Sequence, residues 1–192
     1  MTRKQQRERT HQTLLDATMR CLVEFGYAGT TTQRIQEEAG VSRGALLHHF
    51  GSKTDLLVAA IHHIADIRLA DVDVMVAEMG DGPQALVDMV AAMREAMTGP
   101  PFQAALELWT ASRTDDQLRV ALLPAERRLG ERIRTVFNEH SGISDPQRST
   151  IAFESLMALI RGFELTRNMR SDQRAADLVI ADWLERAAAM RD

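Results

Sequence analysis

The chain of 192 residues has a single cysteine, Cys21. A lone thiol excludes an internal disulfide and any multi-cysteine zinc site. Aromatic residues make up 5% of the chain, and there are only 11 glycines and 5 prolines. Strand-rich folds draw on more aromatic and β-branched residues and more turn signals, so a sheet protein is disfavoured. No apolar run approaches the ~18 residues of a membrane span. The basic N-terminus lacks the apolar stretch of a signal peptide, so the expected compartment is the cytoplasm, with no membrane partner. A phosphate-binding glycine loop, a nucleophile elbow and metal-ligand spacing are also missing, which argues against an enzyme. His48-His49 and His62-His63 are adjacent pairs whose side chains point about 100° apart on a helix and cannot chelate alone. Neither metal nor cofactor is expected.

Hydrophobic residues are 45% and charged residues 26%, enough for a buried core. Alanine, leucine, methionine, glutamate and arginine dominate, which favours helix. The net charge of −4 is unevenly spread. Residues 1–56 hold eight Lys/Arg against six Asp/Glu, a surplus of +2, and the rest of the chain carries −6. Such asymmetry suggests two jobs in one chain.

The periodicity predicts an all-α fold of about nine helices. Leu14, Leu15, Ala17, Cys21, Leu22 and Phe25 have helical spacing, with Gly26 as the stop. Thr30 or Thr31 caps a short second helix that Gly40 ends, and Ser42 caps a short third that ends at Phe50-Gly51. Ser52-x-x-Asp55 opens a long helix to about Met79. Further helices start at Gly82-Pro83, after Gly99-Pro100-Pro101, at Thr114, at Asp145-Pro146 and at Ser171-Asp172. Pro124 should kink or split the segment that contains it. Two domains are expected: 1–51, and 52–192 from the start of the long rigid helix. The basic residues among the first ten could form a groove-reaching arm or a frayed terminus.

The stretch Thr31–Phe50 is helix, glycine turn, helix. Ile35, Ala39, Val41 and Leu46 let the two helices pack at a steep angle, the mechanics of a helix-turn-helix. The second helix offers Arg43, Gly44, Leu47, His48 and His49 toward one side, a short basic face that suits the major groove. Ser42 and the free amides at its start can meet phosphates.

The string Gly26-Tyr27, Thr30-Thr31, Ile35, Ala39-Gly40-Val41-Ser42-Arg43-Gly44, Leu46, His49-Phe50, Lys53 and Leu56-Leu57 resembles the tetracycline-repressor (TetR) family over roughly the first 57 residues. Residues 58–192 resemble it in architecture alone. The resemblance implies a homodimeric transcription regulator, usually a repressor, whose N-terminal domain reads a near-palindromic operator. Its C-terminal domain would bind a small molecule and dimerise. By the same resemblance Thr31, Ser42, His49 and Lys53 would contact phosphates. Gln33, Arg43, Gly44 and Ala45 would face base edges, with His48 near them. The family often has tyrosine where this chain has Leu47, which removes a phosphate contact and leaves a side chain able to touch a thymine methyl. It also favours alanine where this chain has Gln36.

In the second half, Phe102, Leu106 and Trp109 form a stripe at helical spacing, and methionines recur. Most of these residues suit plain core. An apolar effector pocket walled by Phe102, Leu106, Trp109, Met89 and Met93, with Phe137 and Met157, is the sharper expectation, with Thr110 and His63 as scattered polar groups. Arg127, Arg128, Arg132 and Arg134 should be a solvated face paired to acids. The last two helices are apolar on more than one side, which suits a four-helix bundle across a two-fold axis. A DNA-binding protein without ligand control is the alternative, and a helical enzyme a more remote one.

Overall fold

A computed structural model describes residues 2–78, 80, 84–169 and 172–191. Among the described residues there are nine α-helices and no strand. They are α1 (Arg3–Gly29), α2 (Thr32–Ala39), α3 (Arg43–His49), α4 (Lys53–Glu78), α5 (Ala85–Ala96), α6 (Pro100–Ala111), α7 (Asp116–His140), α8 (Pro146–Leu165) and α9 (Arg174–Ala188), with a 3-10 turn at Arg167–Met169. The all-α expectation therefore holds. The expected helix starts at Gly82-Pro83 and Ser171, and the helix end at Met79, lie outside the described residues.

The chain divides into two compact units. The first runs to Arg68 and includes Gly99–Arg128; the second is Leu69–Thr98 and the chain from Leu129 onward. The divisions fall inside α4 and α7. In the first unit, one cluster joins Leu14, Leu15, Ala17 and Cys21 of α1 to Ile35, Leu46, Phe50, Leu56 and Ala60. A second joins Leu22, Ile61, Ile64 and Ala65 to Ala104, Ala105 and Leu108 of α6 and Leu118, Leu122 and Ala125 of α7. Cys21 is buried in the first cluster, and burial pushes its thiol pKa up, as for an inert core thiol.

The second unit buries Met89, Val90 and Met93 of α5, Val136 and Phe137 of α7, Phe153, Leu156 and Met157 of α8, and Ile180 and Trp183 of α9. The Phe137 ring meets Phe153 edge-on at 5.5 Å, and the Trp183 indole N–H donates to Ser155 Oγ at 2.9 Å. Met75, Met89, Met93, Met97 and Met157 are all buried.

Four local expectations are corrected or narrowed. Gly26 does not end α1. It breaks the helix at φ 66°, ψ 177°, a conformation open essentially to glycine alone, and the chain turns once more to Gly29. From Arg3 onward the N-terminal residues are helical and not frayed: α1 begins there, and Thr2 and Gln5 close a reciprocal capping box. Asp115, not Thr114, caps α7, its Oδ1 accepting the Leu118 N–H at 2.9 Å. Finally, α7 is not split at Pro124. Pro124 is exposed, and the carbonyl it leaves unpaired belongs to Val120, also exposed, where water can reach it. Buried Leu118, Leu122, Ala125 and Leu129 hold the helix from its other face.

Candidate nucleic-acid interface

The geometry of α2 and α3 follows from local sequence. Thr31 Oγ1 accepts the Arg34 N–H at 3.3 Å and so caps α2. The neighbouring Thr30 is buried, its hydroxyl donating to the Gly26 carbonyl at 2.7 Å. At the other end Gly40 takes the left-handed conformation, φ 64°, ψ 33°, that reverses the chain most cheaply without a Cβ. Ser42 Oγ then caps α3 by accepting the Ala45 N–H at 3.2 Å. Ile35 and Leu46 point into the shared core, Ala39 and Val41 pack at its rim, and Phe50 closes it. Arg34 braces the back, donating to the Gly29 carbonyl at 2.7 Å and lying 4.4 Å over the Phe25 ring.

The outward face of α3 carries Arg43, Gly44, Leu47 and His48, all exposed, with Ala45 half-buried. Among the described residues no carboxylate pairs with Arg43 or with Lys53, which opens α4. Gln33 is exposed on α2, its amide donating to Glu37 at 2.9 Å. Thus the ten candidate residues lie on α2, α3, their caps and the start of α4. Thr31 and Ser42 also spend their hydroxyls on caps.

A histidine cluster joins α3 to α1. The His11 ring lies 4.8 Å from Phe50 and 6.0 Å from His49, and His48 is 5.8 Å from His49. Burial, then the nearby His11, His48 and Arg7, hold the His49 pKa below its ordinary value. Arg3, Arg7 and His11 recur every four residues and share one face of α1, so a basic stripe runs along α1 to this cluster.

The residues expected to wall an effector pocket fall in both units. Phe102 is buried, its ring meeting Trp109 edge-on at 5.6 Å, and Leu106 is half-buried, all in the first unit. Met89, Met93, Phe137 and Met157 are buried in the second. His63 is engaged elsewhere: its Nε2 stands 2.7 Å from Asp16 Oδ1, tying α4 to α1. Sequence reasoning missed Arg68, 5% exposed, whose Nη1 donates to Glu126 Oε1 at 3.2 Å. Its guanidinium lies 5.3 Å from the Phe102 centroid and 5.4 Å from that of Trp109. The available signal was position, since Arg68 continues the apolar face of Ile61, Ile64 and Ala65. Arg128, Arg132 and Arg134 pair with Asp66, Asp73 and Glu154, as expected of a solvated face.

Residues 14–60, which span the core and the outward face just described, match the family of bacterial regulatory proteins, tetR family. The chain belongs to the tetR family. It is 33% identical over 121 residues to the uncharacterized HTH-type transcriptional regulator Rv2912c of Mycobacterium tuberculosis, covering 63% of this chain and 62% of that relative. To the HTH-type transcriptional repressor AcnR of Corynebacterium diphtheriae it is 34% identical over 137 residues, 68% of this chain and 66% of that one. This tetR-family chain therefore spans less than two thirds of the length of these relatives, whose names are those of regulators and not of enzymes. A solved tetR-family regulator from Cytophaga hutchinsonii shares the fold, with a TM-score of 0.76 at 16% identity over 97% of this chain and 96% of that one. No helix among the described residues is long and apolar enough to cross a membrane.

Proposed function

We propose that this chain is a cytoplasmic transcriptional repressor that binds a near-palindromic DNA operator as a homodimer and is released by a small, mostly hydrophobic effector. The observation that carries the reading is the outward face of α3: Arg43, Gly44, Leu47 and His48 exposed together on a helix whose other side is fixed by Leu46 in the core. Arg43 suits a guanine edge. Lys53 and the basic stripe of α1 suit phosphates, which position the protein without specifying sequence.

The second unit supplies the support for dimerisation. Ile151, Ser155, Ala158, Gly162 and Leu165 recur at three- and four-residue spacing along α8, and all but half-buried Ser155 are exposed. Ile151 is 57% exposed and Leu178, on α9, 72%. A groove of about 610 Å³ runs between α8 and α9, lined by Ala158, Leu159, Val179 and Trp183 among others. Large apolar groups beside small ones suit a second copy packed about a two-fold axis. Two recognition helices would then meet half-sites ~34–36 Å apart.

For the effector, the reading rests on the Phe102–Trp109 pair of α6. This helix belongs to the same compact unit as the DNA-reading helices and packs against α1. A guest that displaces α6 has a short route, through α1, to α2 and α3. The Arg68–Glu126 pair beside these rings adds a polar element to an otherwise apolar wall. Met89, Met93, Phe137 and Met157 remain candidate contacts in the second unit.

The test is a gel shift with a duplex covering the region upstream of the chain's own coding sequence. A discrete retarded complex that Arg43→Ala weakens supports the reading. Absence of any complex even at low salt contradicts it.

A further inference from the structure

One residue on the outer face of α3 has chemistry that does not fit phosphate contact. Leu47 is 49% exposed, and the core takes its neighbour Leu46 instead. At about 100° per residue, Leu47 falls between Arg43 and Gly44, with His48 at the edge, near the middle of the exposed arc. Gly44 leaves open space there: a Cβ would have Ser42 Oγ, at 3.9 Å, as its nearest neighbour. The floor of a groove can thus approach the helix backbone beside Leu47. A lone exposed leucine is ordinary on a protein surface. This one stands among a guanidinium and imidazoles, on the face that the proposed function turns toward DNA. An isobutyl group offers no donor to a phosphate, and the apolar feature of the major groove is the C5-methyl of thymine.

We propose that Leu47 is a specificity-determining residue that reads a thymine methyl in each half-site of the operator. This inference rests on the reading of α3 as the DNA-contacting helix. Arg43 and Leu47 are four residues apart, about 6 Å along the axis. That is under two base steps of about 3.4 Å, so the thymine lies within two base pairs of the base that Arg43 contacts.

The test begins with selection of bound sequences from a random duplex library. Each thymine of the selected half-site is then replaced, one at a time, by deoxyuridine, which removes the methyl group alone. Affinities are read by fluorescence anisotropy at fixed salt. One replacement should weaken binding by about fourfold, the size expected for one buried methyl group. The same replacement should cost the Leu47→Ala protein nothing. Leu47→Gln, of similar length but polar, should likewise lose the discrimination, and because Leu47 is exposed both variants keep the fold. If no thymine shows the penalty, or if the penalty persists in both variants, the assignment is wrong while DNA binding stands. A selection that enriches no sequence overturns the reading of α3 and the assignment together.

Discussion

Glu107 on α6 accepts the backbone N–H of Tyr27 on α1, at 3.4 Å, just past the break at Gly26. The Tyr27 hydroxyl reaches Asp115, the cap of α7, at 3.2 Å. The end of α1 is thereby tied to two other helices of its unit by polar contacts at a place where its own hydrogen-bond ladder is interrupted. Gly26→Ala should destabilise the protein by about 1–3 kcal/mol, because the added Cβ meets a glycine-only conformation. It would also stand 3.0 Å from Glu107 Oε2. Urea denaturation of Gly26→Ala, Glu107→Ala and the double variant checks this. The double variant should be less destabilised than the sum of the single ones, since removing the carboxylate frees space for the methyl group.

The histidine cluster makes a prediction about pH. His49 has its pKa depressed by burial, and by His11 and Arg7 from α1 and His48 on its own helix. Asp55, the acidic group of the first turn of α4, is held by the Ser52 hydroxyl at 2.8 Å. The unfolded chain therefore binds a proton at His49 more readily than the folded one. Stability is full above the ordinary imidazole value of about 6.5 and falls as pH drops through it, until the folded state is protonated too. If phosphates lie beside His49, DNA reverses the sign, because they favour the imidazolium. Thermal melts from pH 8 to pH 5 should show the loss and His49→Gln should reduce it, while DNA affinity of the unmodified chain should rise as pH falls.

Dimerisation through α8 predicts that Ala158→Arg gives monomers. Ala158 is exposed in the single chain, so the substitution leaves the fold of each subunit intact. Sedimentation of a folded dimer carrying this change would place the interface elsewhere.

The effector reading gives a fluorescence prediction. Trp109 and Trp183 are the two tryptophans of the chain, so Trp183→Phe leaves Trp109 as the sole reporter. Compounds that release DNA should change its emission saturably, and more weakly when DNA is present. Coupling is reciprocal: a ~100-fold loss of DNA affinity on effector binding requires the same loss of effector affinity on DNA binding, about 2.7 kcal/mol. A compound that releases DNA and leaves Trp109 silent would place its site away from the Phe102–Trp109 pair.

The helix-turn-helix was legible because its determinants are short-range. Ser42 and Thr31 bond amides three residues on, Gly40 reverses the chain by its own conformation, and Ile35 and Leu46 follow helical spacing. What was misread depends on partners far along the chain. Asp115 and Thr114 are both good caps, and the choice falls to Asp115, which also takes the hydroxyl of Tyr27. Arg68 sits on an apolar face because Glu126 and two aromatic rings receive it there. His63 is bound by Asp16, 47 residues earlier. Gly26 looked like a helix end because a glycine stop and a glycine break have the same local sequence.

In the proposed function α3 reads base sequence while its surroundings hold the DNA backbone. Titrations of Arg43→Ala and Lys53→Ala, each on a selected operator and on a scrambled duplex at several salt concentrations, decide it. Arg43→Ala should lose about 1–3 kcal/mol on the operator and almost nothing on the scrambled duplex. Lys53→Ala should weaken both duplexes alike, with a salt slope shallower by about one per subunit. Operator and scrambled affinities that match those of the unmodified chain in both variants would show that α3 is not the base-reading helix.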